Sequence, residues 1–173
     1  MKKILAYICA SFATIILLPY AYFKKADQFI GGEEDPYMIR WFLWKPDLVR
    51  PRLYLHNFKK SDDDRALHDH PWHSWSLCLG GKATELVHGP KGVEDVPVVS
   101  REIKFGSWVY REPEFTHRMV IPEGGHCWTL FITGPSIREW GFHCPKGWRH
   151  WKDFTGYNQT GDSDRIGRGC GED

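Results

Sequence analysis

The chain has 173 residues, 42% of them apolar, and a formal net charge of +1. That length allows one domain with a real core plus a short appendage. With no charge excess and no basic stripe, nothing marks nucleic acid as a partner. Aromatics are frequent, with nine Trp, ten Phe and seven Tyr, and that enrichment suits pleated, half-buried surfaces.

The chain begins with KKILAYICASFATIILLPYAYFKK, in which no charge occurs from Ile4 to Phe23. Twenty helical residues rise about 30 Å, the thickness of a bilayer core. Lysine pairs bracket the run, and Tyr7, Tyr20 and Tyr22 lie near its ends, as interfacial aromatics do. Residues 1–25 therefore read as a retained single-pass membrane anchor, with a cleaved signal peptide as the competitor. Lysines on both sides leave the orientation open. Residues 26–36, with two Gly, an acidic run and a Pro, read as a linker.

From residue 37 to 154 the pattern predicts short strands near Met38–Trp44, Arg52–Phe58, Trp72–Leu79, Ala83–His88, Val96–Phe105, Trp108–Arg111, Arg118–Ile121, Trp128–Thr133 and Ile137–His143. Turn signals separate them at Lys45–Pro46, Ser61–Asp64, Gly80–Gly81, Gly89–Gly92, Pro122–Gly125 and Gly134–Pro135. Regular short strands of this kind predict an all-β sandwich or barrel. Residues 155–173 are polar and Gly-rich and read as a disordered tail. The five cysteines are too few and too scattered for a disulfide framework. Cys78 and Cys127 fall in predicted strands, where a free thiol acts as a small hydrophobe.

The chemistry concentrates in LHDHPWHSW at 67–75. His68 and His70 stand at i, i+2, which in extended backbone puts both imidazoles on one face. A third histidine, His117, ends GSWVYREPEFTH, where a turn Gly, a strand and a Pro-containing bend can bring it back beside the first pair. Imidazole suits Zn, Fe, Ni and Cu. Asp69 faces away and reads as an orienting or capping group. His126 opens a later strand, on the same alternating face as Trp128, Leu130 and Ile132, a face expected to be core. Arg138 and Trp140 share a face, and an Arg at a barrel mouth can grip a carboxylate; an ordinary outer-face salt bridge is the plainer use. His56, His88, His143 and His150 read as surface or packing residues, Asp62–Asp64 as a solvated acidic turn, and Trp148 and Trp151 as the cover of a barrel end.

His68-Asp69-His70…Gly80-Gly81 and Gly106…Glu112-Pro113-Glu114…His117 resemble the two sequence motifs of the cupin superfamily. The wider pattern is similar to small cupin-like proteins of bacteria and their viruses. The resemblance covers roughly residues 50 to 145 and implies a small jelly-roll barrel with a site in its mouth. It implies one divalent metal on His68, His70 and His117, with Fe(II) favoured and Zn, Ni or Mn as other occupants, and His73 as a possible fourth ligand. It further implies a small-molecule ligand, with His126, Arg138 and Trp140 as candidate contacts, and pairing into a homodimer. Where the family's first motif places a carboxylate, this chain has Ser74 and Trp75, so the expected set is three neutral imidazoles, as in thiol-dioxygenase cupins. Metal-free epimerase-type cupins, which use a His–carboxylate pair, and non-catalytic binding cupins are the alternatives.

Overall fold

The structure, a computed structural model, describes residues 2–44, 51–62, 66–87, 99–156 and 169–171. The turns expected at Lys45–Pro46 and Gly89–Gly92, the residues Asp63, Asp64 and His88, and tail residues 157–168 lie outside the described set. Helix α1 (Lys2–Phe23) is followed by β1 (Gln28–Ile30), β2 (Met38–Trp44), β3 (Arg52–Phe58), β4 (Leu67–His68), β5 (Ser74–Val87) and β6 (Val99–Lys104). Then come β7 (Trp108–Arg111), β8 (His117–Val120), β9 (Cys127–Thr133), β10 (Gly141–Cys144), β11 (Gly147–His150) and a short α2 (Trp151–Thr155). Every strand pairing among the described residues is antiparallel.

Strand β5 organises the molecule. Its first half lies between β9 and β7, in a sheet that continues through β3, β2 and β1. Its second half lies between β6 and β8, in a sheet that continues through β4, β10 and β11. Two sheets sharing one bent strand make a jelly-roll barrel. The sequence suggests two strands divided by a turn at Gly80–Gly81; the structure has one 14-residue strand with a register shift between Cys78 and Gly80. The glycines mark the corner itself. Gly81 has φ of 70°, and a Cβ there would lie 1.9 Å from the His126 carbonyl oxygen, so backbone crosses backbone where no side chain fits.

Alternation sorts the side chains. Cys78, Ala83, Ile103, Val109, Met119, Ile121 and Cys127 form an apolar floor between the sheets, with Phe58 against it. On the opposite, outer face of the first sheet, Trp41, Leu55, Leu77 and Leu79 are buried under α1. The helix reaches them with Ala10, Ala13, Leu17, Tyr20 and Ala21, a helical spacing in which small residues allow close approach. Midway along α1, the Thr14 hydroxyl donates to the Leu79 carbonyl at 3.0 Å. Trp128 and Leu130, on the face of β9 expected to be core, pack half-buried against this helix-covered cluster. Interior positions of β9 are Cys127, Thr129, Phe131 and Thr133, in register with Gly81, Cys78, Ser76 and Ser74 of β5.

Other expectations are also corrected. The expected linker contributes β1, an edge strand paired with Met38–Arg40 of β2. The strand expected at Ile137–His143 begins at Gly141, because Asp69 holds the preceding loop by its own hydrogen bonds. The tail is anchored where it is described: Cys144 and Cys170 form a disulfide with Cα atoms 5.4 Å apart, Gly169 donates its N–H to Phe154 O, and Arg149 donates to Gly169 O at 2.7 Å. A framework of bridges is not needed for one long-range pairing, so counting cysteines missed it. Phe142 and Phe154, stacked 3.6 Å apart, fill the small core beneath this closure.

Candidate metal centre

In β4 and β8, His68 and His117 are direct register partners, which sets their imidazoles side by side with ring centroids 4.8 Å apart. His70 lies just beyond β4. Its backbone N–H donates to Pro113 O at 2.9 Å, tying the two histidine-bearing segments together. Its ring lies 5.0 Å from that of His68 and 5.1 Å from that of His117. His70 Nε2 and His117 Nε2 are 2.8 Å apart. One ring nitrogen from each of the three histidines falls within 4.8 Å of the others, a grouping that could hold a metal ion. The i, i+2 spacing serves its purpose even though only His68 of the pair is in a strand.

The sequence reading missed the acid behind these rings. Glu85 is fully buried on the interior face of β5. Its carboxylate accepts from Arg111 Nε at 2.6 Å and from Arg101, and Arg111 also donates to the Ser76 hydroxyl. Glu85 Oε1 lies 2.6 Å from His117 Nδ1, close in distance but bent away from the ring N–H direction. Burial opposes the charge on Glu85, yet the His117 contact and the Arg111 guanidinium outweigh it and hold the carboxyl well below its ordinary range. The one signal in the sequence was a lone acid within the apolar run ATELV.

A second acid stands behind His68. Asp62, expected in a solvated turn, is buried. It accepts the Met119 N–H at 2.6 Å and the Tyr37 hydroxyl, and it lies 3.8 Å from His68 Nδ1. Burial pushes the pKa of His68 down to about 4, and pushes those of His70 and His117 down as well. All three imidazoles are thereby neutral at pH 7, the form in which a ring nitrogen offers its lone pair to a cation. Carboxylates behind metal-binding histidines fix ring orientation and tautomer, and Glu85 and Asp62 occupy the corresponding places here.

Asp69 acts as the sequence suggested, away from the three rings. Its carboxylate accepts the Gly141 N–H at 2.8 Å and the Trp148 indole N–H at 3.1 Å, and it pairs with His143 and Arg138. Burial opposes its charge, but these partners keep its pKa below the usual carboxylate value. Arg138 also donates to the carbonyls of His70 and Pro113, so it clamps the histidine loop. His73 points elsewhere: its Nδ1 lies 2.6 Å from the Tyr110 hydroxyl and its ring stacks on Tyr110. His126 is exposed, and its carbonyl accepts from Lys82.

A groove opens beside His70. Arg52, Trp72, Thr133, Ser136, Trp140 and Trp151 line it, and Arg138 sits at its wall. The His70 ring stacks between Trp72 and Trp140, at 6.3 and 6.2 Å, and Trp140 stacks in turn on Trp151 at 5.5 Å. The Trp72 indole nitrogen and the Thr133 hydroxyl are buried without a hydrogen-bond partner in the protein. His126 belongs to the far end of β9 from this groove, which begins at Thr133.

No family model and no curated protein matches this sequence. Among solved structures, the barrel is similar to a cupin-like protein from Thermotoga maritima, with a TM-score of 0.50 and 14% identity over 69% of this chain and 86% of that one. It is also similar to a cupin 2 conserved barrel domain protein from Rhodopseudomonas palustris, with a TM-score of 0.49 and 12% identity over 64% of this chain and 69% of that one. A third neighbour is hydroxypropylphosphonic acid epoxidase from S. wedmorenis, with a TM-score of 0.46 and 10% identity over 64% of this chain and 57% of that one. Identities this low speak to the fold alone.

Proposed function

This chain has the cupin fold, and from that premise we propose that His68, His70 and His117 hold one divalent metal ion at which a small anionic substrate reacts. The observation that carries the reading is the convergence of three neutral imidazoles, His117 buried and His68 and His70 half-buried, with ring nitrogens within 4.8 Å of one another. Fe(II) is the favoured ion, with Zn, Ni or Mn as other occupants. Three neutral ligands would leave the ion its full charge and open coordination positions. With Fe(II), the site would supply dioxygenase-type chemistry on a substrate that chelates it.

The chain's own residues divide the remaining work. Glu85 places its negative charge beside His117 Nδ1, which favours the ring proton on that nitrogen and leaves Nε2 for the side of the other rings. Trp72 and Trp140 fix the plane of His70 and offer flat walls to a substrate in the groove. Arg52 supplies positive charge in that groove, and the Trp72 indole N–H and Thr133 hydroxyl supply unclaimed donors. Arg138 serves the substrate indirectly by holding the histidine loop. His73, engaged by Tyr110, has no part in this reading. Helix α1 holds the barrel at a membrane, and two chains pair as a homodimer, as cupins do.

The 2.6 Å approach of Glu85 to His117 favours a second reading, in which this His–carboxylate pair moves a proton without a metal, as an isomerase or epimerase would. A groove that binds a sugar or acid without chemistry is the third.

Elemental analysis of the full chain, purified in detergent without added metal, separates the readings. One equivalent of a transition metal is expected, falling below about a tenth in His117→Ala and in His70→Ala, with the β signature in circular dichroism retained. Equal metal in the wild type and both variants overturns the three-histidine site. Oxygen uptake by the Fe(II)-loaded chain with small thiol and carboxylate substrates separates oxidation from passive binding. Turnover that survives complete metal removal transfers the chemistry to the Glu85–His117 pair.

A further inference from the structure

The membrane attachment proposed above has two possible geometries, and the packing of α1 decides between them. The helix spends one face on the barrel. Ala10 and Ala21 are buried against the outer sheet face, and Thr14, at the helix midpoint, bonds Leu79 of β5. Near its start, the Tyr7 ring packs against that of Phe105, tilted at 47° with centroids 5.9 Å apart, and lies so close to Gly106 that a Cβ there would meet it at 2.9 Å. At its end, the Trp41 indole donates to Lys24 O at 3.0 Å. Contact therefore runs along the whole helix, about 33 Å at 1.5 Å per residue.

The other face carries Ile4, Leu5, Ile8, Phe12, Ile15, Ile16, Tyr22 and Phe23, all exposed, Phe12 at 68% and Ile15 at 73%. An uninterrupted stripe of this size marks an interaction surface. Lys2 and Lys3 stand at one end and Lys24 and Lys25 at the other. Were α1 to cross a bilayer while docked, its midpoint would carry Leu79 and the strands beside it into the hydrocarbon. Open sheet edges and irregular loops are not tolerated there. The same helix lying flat offers lipid only its apolar stripe and puts both lysine pairs at headgroup depth, where cations meet anionic lipid.

We infer that α1 lies in the plane of an anionic bilayer surface, its Ile4–Phe12–Ile15–Phe23 stripe in the lipid and its alanine face on the barrel. The occupant of the stripe is lipid, and the lysine pairs select membranes with negative headgroups.

Spin labels report the geometry. Cys9 is the exposed free thiol, while Cys78 and Cys127 are buried, so Cys9 can be labelled directly. In a Cys9→Ser background, Ile4→Cys, Phe12→Cys, Ile16→Cys and Phe23→Cys extend the series at exposed positions. The full chain is bound to vesicles of phosphatidylcholine and phosphatidylglycerol, and label depth is read from collisions with oxygen and a water-soluble nickel complex. The expected result is one shared, shallow depth of about 5–10 Å at all positions, with binding at least tenfold weaker on pure phosphatidylcholine. A depth that rises to about 15 Å at Phe12 and falls again towards both ends identifies a spanning helix and overturns the in-plane geometry alone. Water-exposed labels on a chain that ignores vesicles overturn membrane attachment itself. Spin–spin broadening between labels without lipid contact assigns the stripe to a second copy and overturns the inference, as does binding indifferent to headgroup charge. Metal content of the labelled chains reports separately on the histidine site.

Discussion

On the inner face of the first sheet and its continuation through β5, Arg40 bonds His56, Arg111 bonds Ser76 and Glu85, and Thr129 and Thr133 are buried. On the outer face of the same strands, Trp41, Leu55, Leu77 and Leu79 are buried under α1, and Trp41 stacks on Trp128 at 5.4 Å. The polar side of this sheet faces inward and much of its apolar side faces outward. The two faces do different work. Each large apolar side chain under the helix contributes roughly 1.5–3 kcal/mol of burial. Buried ion pairs contribute little net stability, because their attraction mainly offsets desolvation. With apolar burial supplied from outside, and by the floor around Cys78 and Met119, the upper barrel can hold charges and imidazoles that stability alone would not select.

Four perturbations test this division. The largest effect is expected from Glu85→Ala, which strands a buried guanidinium and frees His117; a loss of roughly 3–5 kcal/mol is expected by denaturant titration, together with loss of metal. If the variant keeps its midpoint, the inner network is dispensable. On the outer face, Leu55→Ala should cost about 3 kcal/mol because the residue is fully buried. A cost below about 0.5 kcal/mol, ordinary for a surface site, would mean that α1 does not cover the sheet.

Acidification of the metal-free chain probes the inner face alone. His68 is held near a pKa of about 4, against 6.5 for an unperturbed histidine. Between those values the unfolded chain takes up a proton that the folded chain refuses, so stability is intact above pH 6.5 and falls as the pH drops towards 4. The contribution of this one group is on the order of 3 kcal/mol, and His70 and His117 act in the same direction. Unfolding free energies that stay flat across this window in the metal-free protein would show that the imidazoles are solvated. The smallest effect is expected from Thr14→Val, which removes one hydrogen bond between helix and sheet and should cost about 1 kcal/mol; no change at all would argue that the helix midpoint is not docked at Leu79.

The barrel was legible because its strands alternate and its turns carry Gly and Pro. The triad was legible because i, i+2 histidines and a later histidine after a Pro bend have few other uses. What was not legible depended on partners far off in sequence. Glu85 looks like any strand acid until Arg101 and Arg111 are brought beside it by β6 and β7. Asp62 looks solvated until Tyr37 and Met119 close over it. The outer face of β9 reads as core by alternation; it is half-buried, and its cover is a helix more than a hundred residues upstream. A hydropathy profile sees twenty uncharged residues in α1 and cannot say that one side of them is occupied by protein.

The bond between Cys144 and Cys170 links the redox state of the surroundings to the candidate metal centre. Such bonds persist in oxidising compartments and are reduced in the cytosol. Its two ends lie in β10, which pairs with β4 beside His68, and in the last residues of the chain. Where the bond is closed, the strand flanking His68 is latched to a segment 26 residues further along the chain, and where it is reduced that strand is held by hydrogen bonds and packing alone.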